Sequence, residues 1–373
     1  MKKNMLNKKY FCASLATLLL MLYANVSQCQ TRRFVNEFLN IGVGAKAHGM
    51  MGANAAGVDD ITAGYWNPAG LSRIQAPFQI SAMHAEWFAG IAQYDYVAFG
   101  KKFGNNGRSF AGLSFIRMGV DQIPNTFNLI GPDGRVNYDM ISEFSATDYA
   151  FLLSYSYKLY SNLFLGGNVK VVNRNIGQFG TAWGFGFDFG TQMNFGKWRF
   201  GLMLRDIPST FTTWSFNYTE EEKEILFATG NDIPKATTEV ALPQVIVGLG
   251  FAGGAKQGEK GISYLVEGNL NISTNSSLYA VIQTETVDVG PAFGIEFGYN
   301  HLVFLRGGIG NLQFIDKNLV GTKSINLQPN IGLGLKLGRL TADYALTNVG
   351  KLGITEYSHI FSLKLDLKEK SQR

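Results

Sequence analysis

The chain has 373 residues and a formal charge of +5, with 46% hydrophobic residues, only 16% charged residues and 44 glycines. A soluble domain averages about 25% charged residues and roughly 7% glycine. No apolar run long enough for a membrane-spanning helix follows the first 29 residues, so apolar surface has to be distributed by alternation along strands.

The first 29 residues have the three parts of a secretory signal peptide. The positively charged part contains Lys2, Lys3, Lys8 and Lys9. An apolar stretch over 11–22 is too short to span a bilayer, and small residues at Ser27 and Cys29 favour cleavage before Gln30. A lipoprotein signal with Cys29 as the lipidated residue is the weaker alternative, because Gln28 is a poor residue at the preceding position.

Removal of residues 1–29 changes both the charge and the cysteine content. The removed segment contains four lysines and no acidic residue, so the formal charge falls from +5 to +1. A charge of +1 gives no reason to expect a nucleic-acid partner. Both cysteines, Cys12 and Cys29, leave as well. A disulfide, a thiol nucleophile and a cysteine-ligated metal are therefore excluded from the mature chain.

Residues 30–77 are rich in glycine and alanine and contain no predicted strand longer than a few residues. The candidate site residues of this segment are Gly49, Gly52, Asp59, Asp60, Trp66, Asn67 and Pro68. The asparagine–proline pair is a turn initiator, and the glycines permit close backbone packing. The two aspartates either pair with cations such as Lys170, Arg174 or Lys336, or cap a helix.

From residue 79 onward, large apolar residues alternate with small or charged ones. In 183–190, aromatic residues alternate with three glycines and Asp188, and 293–300, 331–338 and 361–368 repeat the pattern. Successive side chains of a strand point to opposite faces. A soluble sandwich has the same period, but a uniformly large face opposite a small or charged one is typical of a lipid-facing exterior and a polar lumen. Only a closed barrel leaves no unpaired strand edge in lipid.

The strand count is consistent with this interpretation. The predicted strands are 79–85, 91–102, 109–118, 146–158, 163–174, 183–194, 198–206, 243–251, 262–271, 291–299, 302–309, 329–337, 340–346 and 358–366. Every second connection is short, whereas the others include the three longest, 119–145, 207–242 and 272–290, as expected for periplasmic turns and extracellular loops. Segment 277–287 is assigned to a loop because a strand there would break the alternation.

The sequence therefore predicts an all-β fold, a transmembrane antiparallel β-barrel of about fourteen strands. The barrel is expected to cover 78–367, followed by a charged tail at 368–373. Residues 30–77 are expected to start in the periplasm and to fold into the lumen as a plug. A purely structural plug is favoured over a ligand gate, because no convergent set of polar groups is evident in the segment.

The long connection 207–242 is the best candidate for a partner surface, with four aromatics in eight residues outside the predicted strands. These candidate partner-binding residues are Phe211, Trp214, Phe216 and Tyr218. Thr219 and Glu222 have the spacing of a capping box, so a helix should follow to about Thr229 and end at Gly230. Aromatic residues are enriched at interface hot spots. The equally weighted alternative is that they form a lid over the barrel mouth or part of the aromatic girdle.

Enzymatic interpretations find little support. The four histidines, His48, His84, His301 and His359, form no metal-ligand spacing, and no serine or aspartate is marked as a catalytic partner. The sequence therefore predicts neither an enzyme nor a cofactor.

The opening of the mature chain resembles the PorV/PorQ family of the type IX secretion system, which has FadL-like outer-membrane barrels. The resemblance lies in the glycine-rich segments 38–45 and 49–53, the aspartate pair and the segment 65–71, and it extends to 205–208, 211–216 and 230–234. It implies an outer-membrane, PorV-like barrel surrounded by lipid. The implied partners are secreted cargo sorting domains and other secretion-system proteins, namely the translocon and the attachment complex.

A FadL-like transporter of hydrophobic small molecules across the outer membrane is the alternative function. A transporter needs a continuous apolar path through the lumen. The predicted inward faces instead carry a charged set: Lys170, Arg174, Asp188, Glu296, Lys336, Lys364 and Asp366. A polar, filled lumen favours the protein-binding hypothesis, provided that each strand register is correct to one residue.

Overall fold

The computed structural model describes residues 35–87, 90–104, 106–130, 134–256, 258–275, 280–284, 287–316, 323–349 and 357–367, with the backbone alone for 313–316 and 323–325. The predicted signal peptide and the charged tail lie outside these residues. Short helices precede the strands: α1 (Ala45–Gly49), α2 (Ala63–Trp66) and 3-10 helices at Glu37–Asn40 and Pro68–Arg73. No helix in the described part of the chain is long and apolar enough to cross a membrane.

The rest of the described chain consists almost entirely of strands. They are β1 (Phe78–Trp87), β2 (Ala92–Phe103), β3 (Ser109–Asn125), β4 (Ser142–Lys158), β5 (Leu163–Ile176), β6 (Gly180–Phe195), β7 (Trp198–Arg205), β8 (Thr210–Phe216), β9 (Thr237–Ala241), β10 (Gln244–Gly254), β11 (Ile262–Ser273), β12 (Ile282–Gln283), β13 (Asp288–Tyr299), β14 (Val303–Asp316), β15 (Lys323–Leu337), β16 (Leu340–Leu346) and β17 (His359–Leu367). The helix α3 (Glu220–Ala228) lies between β8 and β9, and a 3-10 helix at Tyr138–Met140 precedes β4.

Fourteen of these strands form a closed antiparallel ring, which confirms the predicted fold class. Its order is β1 to β7, then β10, β11 and β13 to β17, and β1 pairs with both β2 and β17. Each of the fourteen predicted strands corresponds to one strand of the ring. The connections β2–β3, β4–β5, β6–β7, β10–β11, β13–β14 and β15–β16 are all short and lie at one end of the barrel, which we call the short-turn end. The longest connections lie at the other end, which we call the long-loop end.

Two predicted loops contain strands, so those assignments were wrong. In 207–242, β8 and β9 pair with each other at the long-loop end of the barrel, and β8 also pairs with β6. Together, β7 and β8 form one strand with a bulge opposite β6. Leu204 of β7 pairs with Phe189 of β6, and Phe211 of β8 pairs with Phe185. The bulged strand therefore advances seven residues where β6 advances four. In 277–287, β12 pairs with β13 but adds no member to the ring.

Side chains alternate between the two faces as predicted. On β6 the aromatic side chains of Trp183, Phe185, Phe187 and Phe189 are exposed, whereas the intervening glycines and Asp188 are buried. On β15, Leu333 and Leu335 are exposed and Gly332 is buried. The exposed face therefore carries the large apolar residues, and the opposite face encloses residues 35–77, which we call the inner segment.

Candidate functional site

The inner segment contacts the barrel wall through its backbone, and the wall has glycines at these contacts. A Cβ atom placed on Gly332 of β15 would lie 3.0 Å from Cα of Gly49. One placed on Gly201 of β7 would lie 2.3 Å from the carbonyl oxygen of Ala55, and one on Gly166 of β5 would lie 2.4 Å from Pro68. Any other residue would displace the segment there. The close packing predicted for Gly49 is therefore a contact between two glycines of different elements.

Asn67 joins the inner segment to two strands of the wall and is fully buried. Its side-chain amide donates to the carbonyl oxygens of Ala55 at 2.8 Å and of Thr191 in β6 at 3.0 Å. Its side-chain oxygen accepts from the backbone N–H of Ala69, which caps the 3-10 helix whose first residue is Pro68. The turn expected at this pair is present and is held against the barrel.

Trp66 organises the glycine-rich part of the segment. Its indole N–H donates to the carbonyl oxygen of Val43 at 2.8 Å. Its ring lies 3.0 Å from the positions that Cβ atoms would take at Gly42 and Gly52, both of which have positive φ. Glycine is therefore needed at both positions, because the backbone has a positive φ and because the Trp66 ring leaves no room for a Cβ atom.

The paired aspartates bind cations, but none of those expected from the sequence. Asp60 forms an ion pair of 2.8 Å with Lys364 of β17. Asp59 lies 3.8 Å from Lys46 and 3.7 Å from Arg73, both within the inner segment. Lys170 and Arg174 have other partners, because the register of distant strands could not be derived from local patterns.

Lys170 lies in a buried charge cluster beside the bulge between β7 and β8. Its ammonium group is 3.1 Å from Asp188 and 2.6 Å from Asp206. The neighbouring Arg205 donates to the carbonyl oxygen of Tyr65 at 3.1 Å and stacks over the Tyr65 ring. The cluster thus joins the bulged strand to the inner segment, and the sequence marked only Lys170 and Asp188 of it.

A second buried cluster lies across the lumen. Arg306 of β14 donates to Glu296 of β13 at 2.6 Å and to Asp343 of β16 at 2.7 Å. Arg174 lies nearer the long-loop end, where it pairs with Asp148 at 2.8 Å. Inward-facing charges of the described residues are thus largely paired with one another, as buried charges must be.

The four aromatics of the candidate partner surface do not form one surface. Phe211 faces outward on β8, opposite Phe185 of β6, among the apolar side chains of the exterior. Trp214, Phe216 and Tyr218 share the other face, where Trp214 and Phe216 stack at 5.7 Å and Phe216 and Tyr218 at 6.3 Å. Because successive side chains of a strand point to opposite faces, Phe211 is separated from the other three aromatic residues.

The inward-facing stack continues into residues that sequence reasoning missed. Tyr218 stacks on Phe179 at 5.7 Å, and Phe179 also contacts Phe127 and Phe144. The guanidinium group of Arg174 lies 5.2 Å from the Trp214 ring. These contacts join segments far apart in sequence, so no local pattern signals them. The aromatic stack forms one wall at the long-loop end of the lumen.

The helix α3 has the predicted capping box. Glu222 N–H donates to the Thr219 hydroxyl at 3.2 Å, and Thr219 N–H donates to the Glu222 carboxylate at 2.8 Å. Gly230, with φ 74°, ends it as expected. Burial, and secondarily the charge of Glu222, raises the pKa of Tyr218. The helix has an acidic first turn, and Phe227 near its end is 79% exposed.

The exterior wall has an apolar depression of about 420 Å³ beside the bulge between β7 and β8. It is lined mainly by Leu153, Tyr155, Val169, Phe187, Phe189 and Ile207. Gly167 has no side chain to fill the floor of the depression, and Asn168 and Asp188 lie on the inner side of the depression. The depression is suited to an apolar molecule or an acyl chain.

The histidines and acids give no metal site within the described residues. His48 contacts the carbonyl oxygen of Gly42, and His301 contacts that of Ala255. His84 pairs with Asp95 at 2.7 Å, and His359 with the Tyr344 hydroxyl at 2.7 Å.

Solved structures with the same fold are outer-membrane barrels. The Pseudomonas putida toluene transporter TodX matches with a TM-score of 0.54 and 12% identity, over 88% of this chain and 99% of that one. The CymD monoaromatic hydrocarbon channel matches at 0.53 and 11%, over 89% and 99%. A Pseudomonas aeruginosa FadL homologue matches at 0.51 and 12%, over 87% and 98%.

No family model matches the chain. No curated protein matches it either. The structural similarity, at these identities, shows a FadL-like barrel fold. Together with the apolar exterior, this fold places the protein in the outer membrane.

Proposed function

We propose that this protein is a plugged outer-membrane barrel that binds protein partners at its long-loop end, as a PorV-like component of type IX secretion. The observation that carries the proposal is the contact of the inner segment with strands all around the ring. The segment meets β5 at Gly166, β7 at Gly201 and β15 at Gly332 through its backbone. A lumen filled at this level leaves the exposed loops and wall as the surfaces available for function.

Buried polar contacts support a plug that stays in place. Displacing the segment would separate Asp60 from Lys364 and leave Arg205 without the carbonyl of Tyr65. Leaving one partner of a buried ion pair uncompensated costs about 3–5 kcal/mol. We therefore assign the inner segment a structural role as plug and not a role as a ligand gate.

The partner surface is proposed to be the hairpin β8–β9 with α3 and the aromatic stack behind it. The hairpin lies at the long-loop end, and α3, which connects its two strands, exposes the Phe227 side chain and an acidic first turn. Exposed aromatic residues are suited to serve as interface anchors. By the resemblance to PorV/PorQ, the partners are cargo sorting domains, the translocon or the attachment complex.

The second candidate function is transport of hydrophobic small molecules, and the structural comparisons support it more directly than the first. The similar structures are named as a toluene transporter, a monoaromatic hydrocarbon channel and a FadL homologue. The apolar depression beside the β7–β8 bulge offers a surface for such molecules. Against this candidate stands the lining of the lumen, whose inward-facing charges are largely paired with one another in the part of the chain that the structure describes.

One experiment separates the candidates. Phe227→Asp changes an exposed side chain and should leave the barrel assembled, whereas Trp214→Ala with Phe216→Ala removes the stack. Loss of about 2 kcal/mol at a hot spot lowers partner affinity roughly thirtyfold. We expect less sorting-domain cargo at the cell surface in both variants, with normal amounts of barrel. Phe211→Ala, on the outward face of the same strand, is the matched control.

Uptake of toluene is measured in the same strains. Normal cargo display with altered uptake would favour the transporter and contradict the protein-binding proposal. Normal cargo display with normal uptake would remove the β8–β9 hairpin as a functional surface.

A further inference from the structure

The outward face of the barrel carries a polar patch on neighbouring strands β17, β1, β2 and β3. This outer polar patch consists of His359, Glu86, His84, Gln93, Asp95 and Arg117. His84 lies 2.7 Å from Asp95, which lies 3.1 Å from Arg117. Their side chains are 52%, 33% and 27% exposed, so these groups face out of the barrel and not into the lumen.

The patch lies at a height where other strands are apolar. Glu86 is eight residues from the short-turn end of β1, and Arg117 is eight residues from that end of β3. With strand tilt, eight residues correspond to roughly 20 Å, within the apolar band of about 25 Å that such barrels present to lipid. At the same count, β6 exposes Phe187 and β11 exposes Leu270.

Charged side chains at this height are unfavourable towards lipid, because the hydrocarbon offers no hydrogen-bond partners. A protein surface with complementary groups removes this cost. Exposed polar side chains on an otherwise apolar exterior are therefore suited to contact another membrane protein.

The arrangement of charges is self-complementary. Glu86 lies on β1 and Arg117 on β3, with Gln93 and Asp95 of β2 between them, and both are eight residues from the short-turn end of their strands. When two barrels stand side by side about a two-fold axis along the membrane normal, the left side of each patch meets the right side of the other. Glu86 of each copy then meets Arg117 of its partner, as isologous contacts require.

The shape of the barrel permits this approach. Strands β1 and β2 have 10 and 12 residues, whereas β3 and β4 have 17 each, so the wall is low at the patch. The β8–β9 hairpin continues β7 and β10, which lie across the ring from β1. Two copies joined at the patch keep their hairpins apart.

We propose that the outer polar patch is the contact surface of a symmetric dimer formed with a second copy of this chain. The dimer does not depend on the function proposed above, because its surface is separate from the β8–β9 hairpin. Gln93 of β2 lies beside the symmetry axis, so its two copies come close together.

Cysteine cross-linking in outer membranes tests the dimer. The chain's own cysteines, Cys12 and Cys29, both lie in the predicted signal peptide. Gln93→Cys, oxidised with copper–phenanthroline, should form a disulfide-linked species of twice the chain mass. Val247→Cys, exposed on β10 across the ring, is the matched control and should remain monomeric.

Charge reversal provides the second measurement. Glu86→Arg places like charges together at the two-fold contact and should weaken self-association about tenfold or more, measured by cross-linking yield at Gln93→Cys. Adding Arg117→Glu should recover the yield. A heat-induced gel shift checks that each variant is folded.

Four outcomes would overturn the proposal. Equal cross-linking at both cysteines would indicate random collision, and no product at Gln93→Cys would leave the patch facing lipid. A product containing a different protein would assign the patch to another partner. Insensitivity of the yield to Glu86→Arg would exclude the Glu86–Arg117 contact and with it the two-fold arrangement.

Discussion

Gly49 and Gly332 meet backbone to backbone, although 283 residues separate them in sequence. A Cβ atom on Gly49 would lie 2.9 Å from Cα of Gly332, closer than such atoms normally approach. Both the inner segment and the barrel wall therefore need a glycine at this contact. A larger residue at either position would push the two backbones apart.

Gly332→Val tests this contact. The added side chain overpacks the interface between β15 and α1, so we expect a loss of about 1–3 kcal/mol in the free energy of unfolding. Urea unfolding in lipid vesicles measures it. Gly307→Ala on neighbouring β14 is the control, because a Cβ there meets only an ordinary contact at 3.8 Å. Equal losses in both variants would show that the contact is not specific.

Asp60→Asn should destabilise the barrel by about 3 kcal/mol, because it leaves the Lys364 ammonium without its carboxylate partner. Asp60→Asn with Lys364→Met should recover part of this loss. Asp59→Asn is the control, since its ion pairs of 3.7 and 3.8 Å are longer and its side chain is 42% exposed. A double variant no more stable than the single one would contradict a coupled pair.

Leu333→Arg should cost roughly 2–4 kcal/mol, because the side chain faces lipid and lies four residues from the short-turn end of β15, towards the middle of the apolar band. Lys336→Gln, on the opposite face of the same strand, should cost less. Unfolding in lipid vesicles compares the two. A silent Leu333→Arg beside a sensitive Lys336→Gln would reverse the assignment of faces for β15.

Thr219→Ala should remove the cap of α3 and cost the helix about 1 kcal/mol, while the barrel keeps its stability. Hydrogen exchange of the α3 amides should become faster, and global unfolding should stay unchanged. Thr213→Ala, at a side chain that faces outward from β8, is a control that leaves the cap intact. Unchanged exchange in Thr219→Ala would mean that tertiary contacts, and not the cap, hold the helix.

Local patterns in the sequence determined the architecture of this protein. Alternation of the kind seen at Trp183 to Gly190 predicted each strand of the ring, because the two-residue period of a strand is a property of the backbone. The capping box at Thr219 and Glu222 was equally local, since both its hydrogen bonds join residues three apart.

Only the tertiary structure decided which residues meet. It paired Asp60 with Lys364 in place of Lys170, placed Phe211 on the face opposite Trp214, and joined Phe179 to the aromatic stack. The outer polar patch was equally hidden, because Glu86 and Arg117 come together only when β1 and β3 take their places beside β2. Such contacts depend on ring closure and strand register, to which distant parts of the chain contribute and which no short window of sequence contains.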